Sequence, residues 1–190
     1  MKNTKAMLSL GMVCLAAVIL QCTNLPVISG SVPYLTFCAC SLIAWKDKRR
    51  LPGIFKILLF GLMGLPLFDF VFSMLTAWLL SGILSALIVI FLQSCVYFAA
   101  FVLINAWINK RQIMLKPKAY AILLSLILIY SALEGIHAVS LVYSFGQAMG
   151  QGNIFALLSA INGNWVLSVI SKFVFYSGVF YTSVQLTQNR

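Results

Sequence analysis

The chain has 190 residues, 62% hydrophobic and 8% charged, with a mean hydropathy of +1.03 and a formal net charge of +10. A soluble domain is nearer half apolar and a quarter charged, so the composition excludes one and predicts a single all-α membrane domain over residues 1–190. The charge does not argue for nucleic acid, because Lys and Arg flank apolar runs and form no basic stripe interleaved with stacking aromatics; anionic lipid head groups on the cytoplasmic leaflet are their expected partners.

The first apolar run, Met7 to Gln21, follows Lys2 and Lys5. It reads as a first membrane helix, with a cleaved signal peptide as the other reading. Thr23-Asn24-Leu25-Pro26 marks a turn. A second span runs from about Val27 to Trp45, bent at Pro33, and stops at Lys46-Asp47-Lys48-Arg49-Arg50. From Ile54 to Ile108 the sequence is almost continuously apolar. One helix of that length would measure about 80 Å against a hydrocarbon core of about 30 Å, so it must fold back. Cations stand at both its ends, so the positive-inside rule places both in the cytoplasm. The stretch therefore holds two spans, roughly 54–75 and 85–108, with a turn near Thr76 to Leu84.

Lys110, Arg111, Lys116 and Lys118 make a second cytoplasmic loop, and a fifth span follows over Ala119 to about Leu141. Phe145 to Trp165 is rich in Gly, Gln and Asn and carries no charge, with Ile154 to Ile161 expected as a short interfacial helix. The sixth span is about Trp165 to Gln185. About six spans result, with N-terminus and C-terminus cytoplasmic and outer loops free of Lys, Arg, Asp and Glu. The expected location is a cell membrane, of the bacterial cytoplasmic (inner) type.

Charged side chains inside lipid are costly, face the bundle interior and find partners. The candidates are Asp69, Glu134, His137 and Lys172, with Gln93 beside them. At about 1.5 Å per residue, Asp69 lies about 22 Å from the cytoplasmic start of the third span, and Glu134 at a similar height in the fifth. Lys172 and Gln93 fall near that level on the sixth and fourth spans. Polar groups of four helices thus share a layer in the outer half of the bilayer. Glu134 and His137, three residues apart, share a face with Ser131. The pairs expected within the layer are Asp69–Lys172 and Glu134–His137, with Gln93 and Tyr97 as an i,i+4 pair. Such a layer binds a polar solute or relays a proton, or else it only ties the helices together by hydrogen bonds.

Enzyme chemistry finds no support. The lone His137 has no nucleophile motif around it, and one Glu-x-x-His falls short of the two, plus further Glu, that di-iron bundles use. The cysteines Cys14, Cys22, Cys38, Cys40 and Cys95 form no C-x-x-C pair, and no histidine stands at zinc spacing from them. They are read as small hydrophobes. No cofactor or metal is expected. Gly61, Gly64 and Ser131-x-x-x-Gly135 mark close helix contacts, and Pro66 predicts a kink before Asp69. The sequence points to a non-enzymatic membrane protein that binds a small solute or serves as a transport subunit. The alternative is a membrane protein-interaction factor (assembly, accessory or toxin-immunity type) with a purely structural polar layer.

Overall fold

The computed structural model describes residues 2–23, 26–45, 51–79, 83–109, 116–151 and 165–188. Among them every regular element is helical. In chain order they are α1 (Lys2–Gln21), α2 (Pro26–Ala44), α3 (Leu51–Leu59), a π-helical segment (Phe60–Gly64), α4 (Leu65–Leu79), α5 (Ile83–Ile108), α6 (Pro117–Gln151) and α7 (Trp165–Gln188). Five stretches are long and apolar enough to cross a membrane: Thr4–Gln21, Leu51–Met74, Leu87–Ile108, Pro117–Ser140 and Trp165–Gln188. A sixth apolar stretch, Ile28–Ala44, is shorter.

Helices adjacent in the chain run antiparallel, and α2 and α5 run parallel, with Tyr97 at Pro33 and Asn105 at Ser41. Lys56 sits over the Trp107 ring at 4.2 Å while Gln93 reaches Ser73, which sets α3–α4 head to tail against α5. Gly135 abuts Leu87 between α6 and α5, and Gly11 lies beside Phe180 between α1 and α7. The N-terminal end of α1 and the C-terminal end of α7 therefore lie at the same end of the bundle.

α7 is the central element. It packs against α1 and α6, touches α2 and α5, and buries Ser171, Tyr176, Gly178, Thr182 and Ser183 along its length. Small residues allow this, because they let backbones approach closely where lipid offers no hydrophobic drive. Thr182 and Ser183 donate back to the Gly178 and Val179 carbonyls, at 2.8 and 2.7 Å, so their hydroxyls are satisfied within the helix. Apolar packing centres on Phe37 of α2, whose ring meets Phe60, Tyr97 and Phe101 at 5.4–6.0 Å. α1 gives Leu10, Cys14 and Ala17 to this core, so the segment that also read as a signal peptide is built into the bundle. All five cysteines are free thiols, and Cys14, Cys38 and Cys40 are buried.

α2 is continuous through Pro33. The third rod departs from α geometry before its proline: the Leu65 N–H bonds to the Phe60 carbonyl, five residues back. Pro66 has no N–H to give, and helices absorb that loss locally by π adjustments of this kind. Gly61 is pressed against Cys38 and Phe37 of α2, the expected contact between helices, and the nearest neighbour of Gly64 is the Phe60 ring of its own rod. The apolar span Pro117–Ser140 matches the predicted fifth span, and the helix α6 that carries it continues to Gln151. The expected interfacial helix at 154–161 lies outside the described residues.

Candidate functional site

The structure divides the predicted layer into two parts. The first lies between α6 and α7. Glu134 stands midway along α6, with His137 one turn on. Lys172 and Ser171 stand two turns into α7. The Lys172 ammonium donates to Glu134 Oε1 at 2.7 Å, and the Ser171 hydroxyl lies 2.6 Å from Oε2. Both carboxylate oxygens are thus engaged. The Lys172 and Glu134 side chains are 13% and 18% exposed, so the pair is largely enclosed. The Ser171 hydroxyl also lies 2.8 Å from the Ser168 carbonyl, and its single proton serves one acceptor at a time. His137 Nδ1 is 3.8 Å from Glu134 Oε1, beyond hydrogen-bond length.

The second part lies between α2 and α4. Asp69 accepts from the Tyr34 hydroxyl at 2.5 Å. Neighbouring on α5, Gln93 donates to Ser73 at 3.3 Å, and Tyr97 turns away to the Pro33 carbonyl at 2.9 Å. Tyr130, one turn before Glu134, packs its ring against Phe175 of α7 at 4.9 Å.

The expected pairing is therefore corrected. Lys172 pairs with Glu134 and not with Asp69, and Asp69 takes a phenol. Matched height is shared by all three groups, but α7 packs on α6, so the carboxylate it meets is that of α6. Gln93 and Tyr97, although on one face, bond to different helices.

The sequence reading missed Ser171, Tyr34 and Ser73, and one more buried link. Asn105 of α5 donates to Ser41 of α2 at 3.0 Å and to the Phe101 carbonyl at 2.7 Å. Asn105 and Ser41 are 1% and 0% exposed. Asn105 had a visible signal, since it and Gln93 are the two amides of α5. Tyr34 and Ser171 had none, because single hydroxyls are common in membrane helices.

Among the described residues no group of three or more His, Cys, Asp or Glu side chains is arranged to hold a metal ion. Compared with known proteins, the chain matches no family model, no curated protein and no solved structure.

Proposed function

We propose that this protein crosses a bacterial cytoplasmic membrane six times, with both termini inside. In this reading it takes a small polar solute at the Glu134–Lys172 layer, alone or as the membrane subunit of a transport system. The carrying observation is the enclosed Lys172–Glu134 pair at 2.7 Å, with Ser171 on the second oxygen. An ion pair at that depth pays heavily for lost hydration, and an apolar pair would hold two helices at least as well. A chain that keeps the charges where an apolar pair would suffice has a use for them. Asp69, Gln93 and His137 border the same level and extend the polar lining.

Orientation is supported by the charge-free outer loops and by the two termini sharing one end of the bundle. α2, at 19 residues, measures about 28 Å, close to the thickness of the hydrocarbon core. The non-enzymatic part of the reading is supported by Ser171. Its neighbouring base is a carboxylate already paired to Lys172, far weaker than the histidine that activates serine nucleophiles. Cysteines introduced at Gln151 and Arg111 in a Cys-less background test the orientation. Intact cells should label position 151 with an impermeant thiol reagent and leave position 111 unlabelled.

The test of binding is thermal unfolding in mild detergent against amino acids, small carboxylates, amines and monovalent cations. One class should raise the midpoint of the wild type and leave that of Glu134→Gln/Lys172→Met unchanged. His137→Gln should reduce the response to that class, since the imidazole borders the same level. One observation favours the alternative reading, a protein-interaction factor: both Glu134 oxygens are already satisfied from within the bundle. No response to any solute class, with a stable double variant, would establish that reading.

A further inference from the structure

Two of the buried cysteines meet. Cys14 of α1 and Cys40 of α2 are 6% and 0% exposed, and their thiols are in hydrogen-bond contact. Cys40 also meets the hydroxyl of Ser183 on α7, which donates onward to the Val179 carbonyl at 2.7 Å. Sequence spacing hid the pair, because its members stand on different helices. Cys14 lies ten residues into the Thr4–Gln21 span, about 15 Å deep in a core about 30 Å thick. A groove of about 230 Å³ between α1 and α7 reaches it. Gly11, Cys14 and Leu15 line the groove from α1, and Phe173, Tyr176 and Phe180 from α7. Leu15 and Phe173 are exposed, so the groove opens at the surface of the bundle. Tyr176 is 1% exposed and its hydroxyl has no hydrogen-bond partner; Thr36 of α2 stands beside it without alignment for one. A buried donor left without an acceptor is costly.

The geometry points to a two-coordinate site for one soft monovalent metal ion, of the Cu(I) and Ag(I) type, held between the Cys14 and Cys40 sulfurs. Thiolate sulfur selects such ions. Zinc takes three or four protein ligands, and calcium and magnesium take several oxygens. Among the described residues no third His, Cys, Asp or Glu joins the pair. Loading breaks two S–H bonds, forms two metal–sulfur bonds and releases both protons to water; no electron moves. One cation between two thiolates leaves one negative charge inside the bundle. The Tyr176 hydroxyl, on the wall of the groove that reaches Cys14, is the donor that answers this charge, and a thiolate is the acceptor it lacks. The site is separate from the Glu134–Lys172 pair and does not rest on solute binding there.

Silver(I) tests it, because it shares the preference for sulfur and does not oxidise thiols by cycling between states. The full chain in mild detergent is loaded with Ag(I), passed through an excess of the monothiol glutathione, and weighed by native mass spectrometry. One silver ion should remain on the wild type. Cys14→Ser and Cys40→Ser should each lose it. Cys22→Ser and Cys95→Ser, at the less buried thiols, should keep it. Tyr176→Phe should weaken retention about tenfold, as expected for loss of a hydrogen bond to a charged group. Should the Cys14 and Cys40 variants fail to fold, X-ray absorption by the silver-loaded wild type gives a second reading, with two sulfur neighbours around each ion. A wild type that retains no silver would overturn the site. So would retention unchanged in Cys14→Ser and Cys40→Ser, or lost in Cys22→Ser or Cys95→Ser. Three or four sulfur neighbours would mean an ion shared with other thiols and would also defeat it. Unchanged affinity in Tyr176→Phe would defeat the charge-balanced site described.

Discussion

Asp69 and Glu134 are both acidic residues inside apolar helices, yet the protein treats them differently. Glu134 sits against the most enclosed helix of the bundle and is met by a full positive charge and a hydroxyl. Asp69 sits on a rod that packs lightly, with Phe70, Val71 and Met74 beside it exposed to the lipid side, and is met by a phenol. The amount of surrounding structure sets how much compensation a carboxylate needs. In the interior of the bundle, α6 and α7 supply a counter-charge. Towards the periphery, a single strong hydrogen bond suffices.

The most severe test of this contrast lies at Glu134. Removing either partner strands the other, so Glu134→Gln or Lys172→Met alone should each cost about 3–5 kcal/mol, with the double variant recovering much of that. Additive losses in a double-mutant cycle, read by unfolding in mixed detergent, would dissolve the pair. Next in size is Tyr34→Phe. It leaves Asp69 without its donor and should cost about 1–3 kcal/mol in the same assay. Ser171→Ala should cost about 1 kcal/mol, because Lys172 still holds Glu134. Asp69→Asn should cost less than about 1 kcal/mol, since the amide oxygen can still accept from Tyr34. That mildness, set beside the damage from Glu134→Gln, is the sharpest form of the comparison, and equal losses at the two acids would end it. His137→Gln should move stability least, by about 0.5 kcal/mol or less, because the imidazole is beyond hydrogen-bond reach of Glu134.

The helices were legible because the length of an apolar run and the position of cations follow directly from bilayer thickness and from the cost of moving charge across it. The fold-back between residues 54 and 108 is an instance: helix length alone demanded it, and α4 ends at Leu79 and α5 begins at Ile83. The end of α6 was not legible. Its last turns contain Gly146, Gln147, Gly150 and Gln151, which read as loop, but Gln, Ala and Met are good helix formers and no proline intervenes. The candidate residues were visible as polar interruptions, and their heights followed from counting. Their partners were not, because height leaves rotation about the helix axis and the choice of neighbouring helix undetermined. Lys172 illustrates this: it could have met either acid by depth, and the packing of α7 on α6 decided between them.

The wide turn at Phe60–Gly64 makes the aim of Asp69 a matter of counting. An α-helix advances about 100° per residue, and a π-turn holds one residue more than an α-turn. A chain short of any one residue in that segment would close it as ordinary helix. Every side chain beyond it, Asp69 included, would then keep nearly its present direction relative to α2, because the residue lost is the one that the wide turn absorbs, and Tyr34 would still face Asp69. Deletion of Leu62 or Met63, which are exposed, should therefore spare the phenol–carboxylate bond, while deletion of one residue from the α-helical turn between Leu65 and Asp69 should turn the carboxylate away by about 100° and break it. One residue of chain length is spare inside the wide turn and is not spare in the helix that follows it.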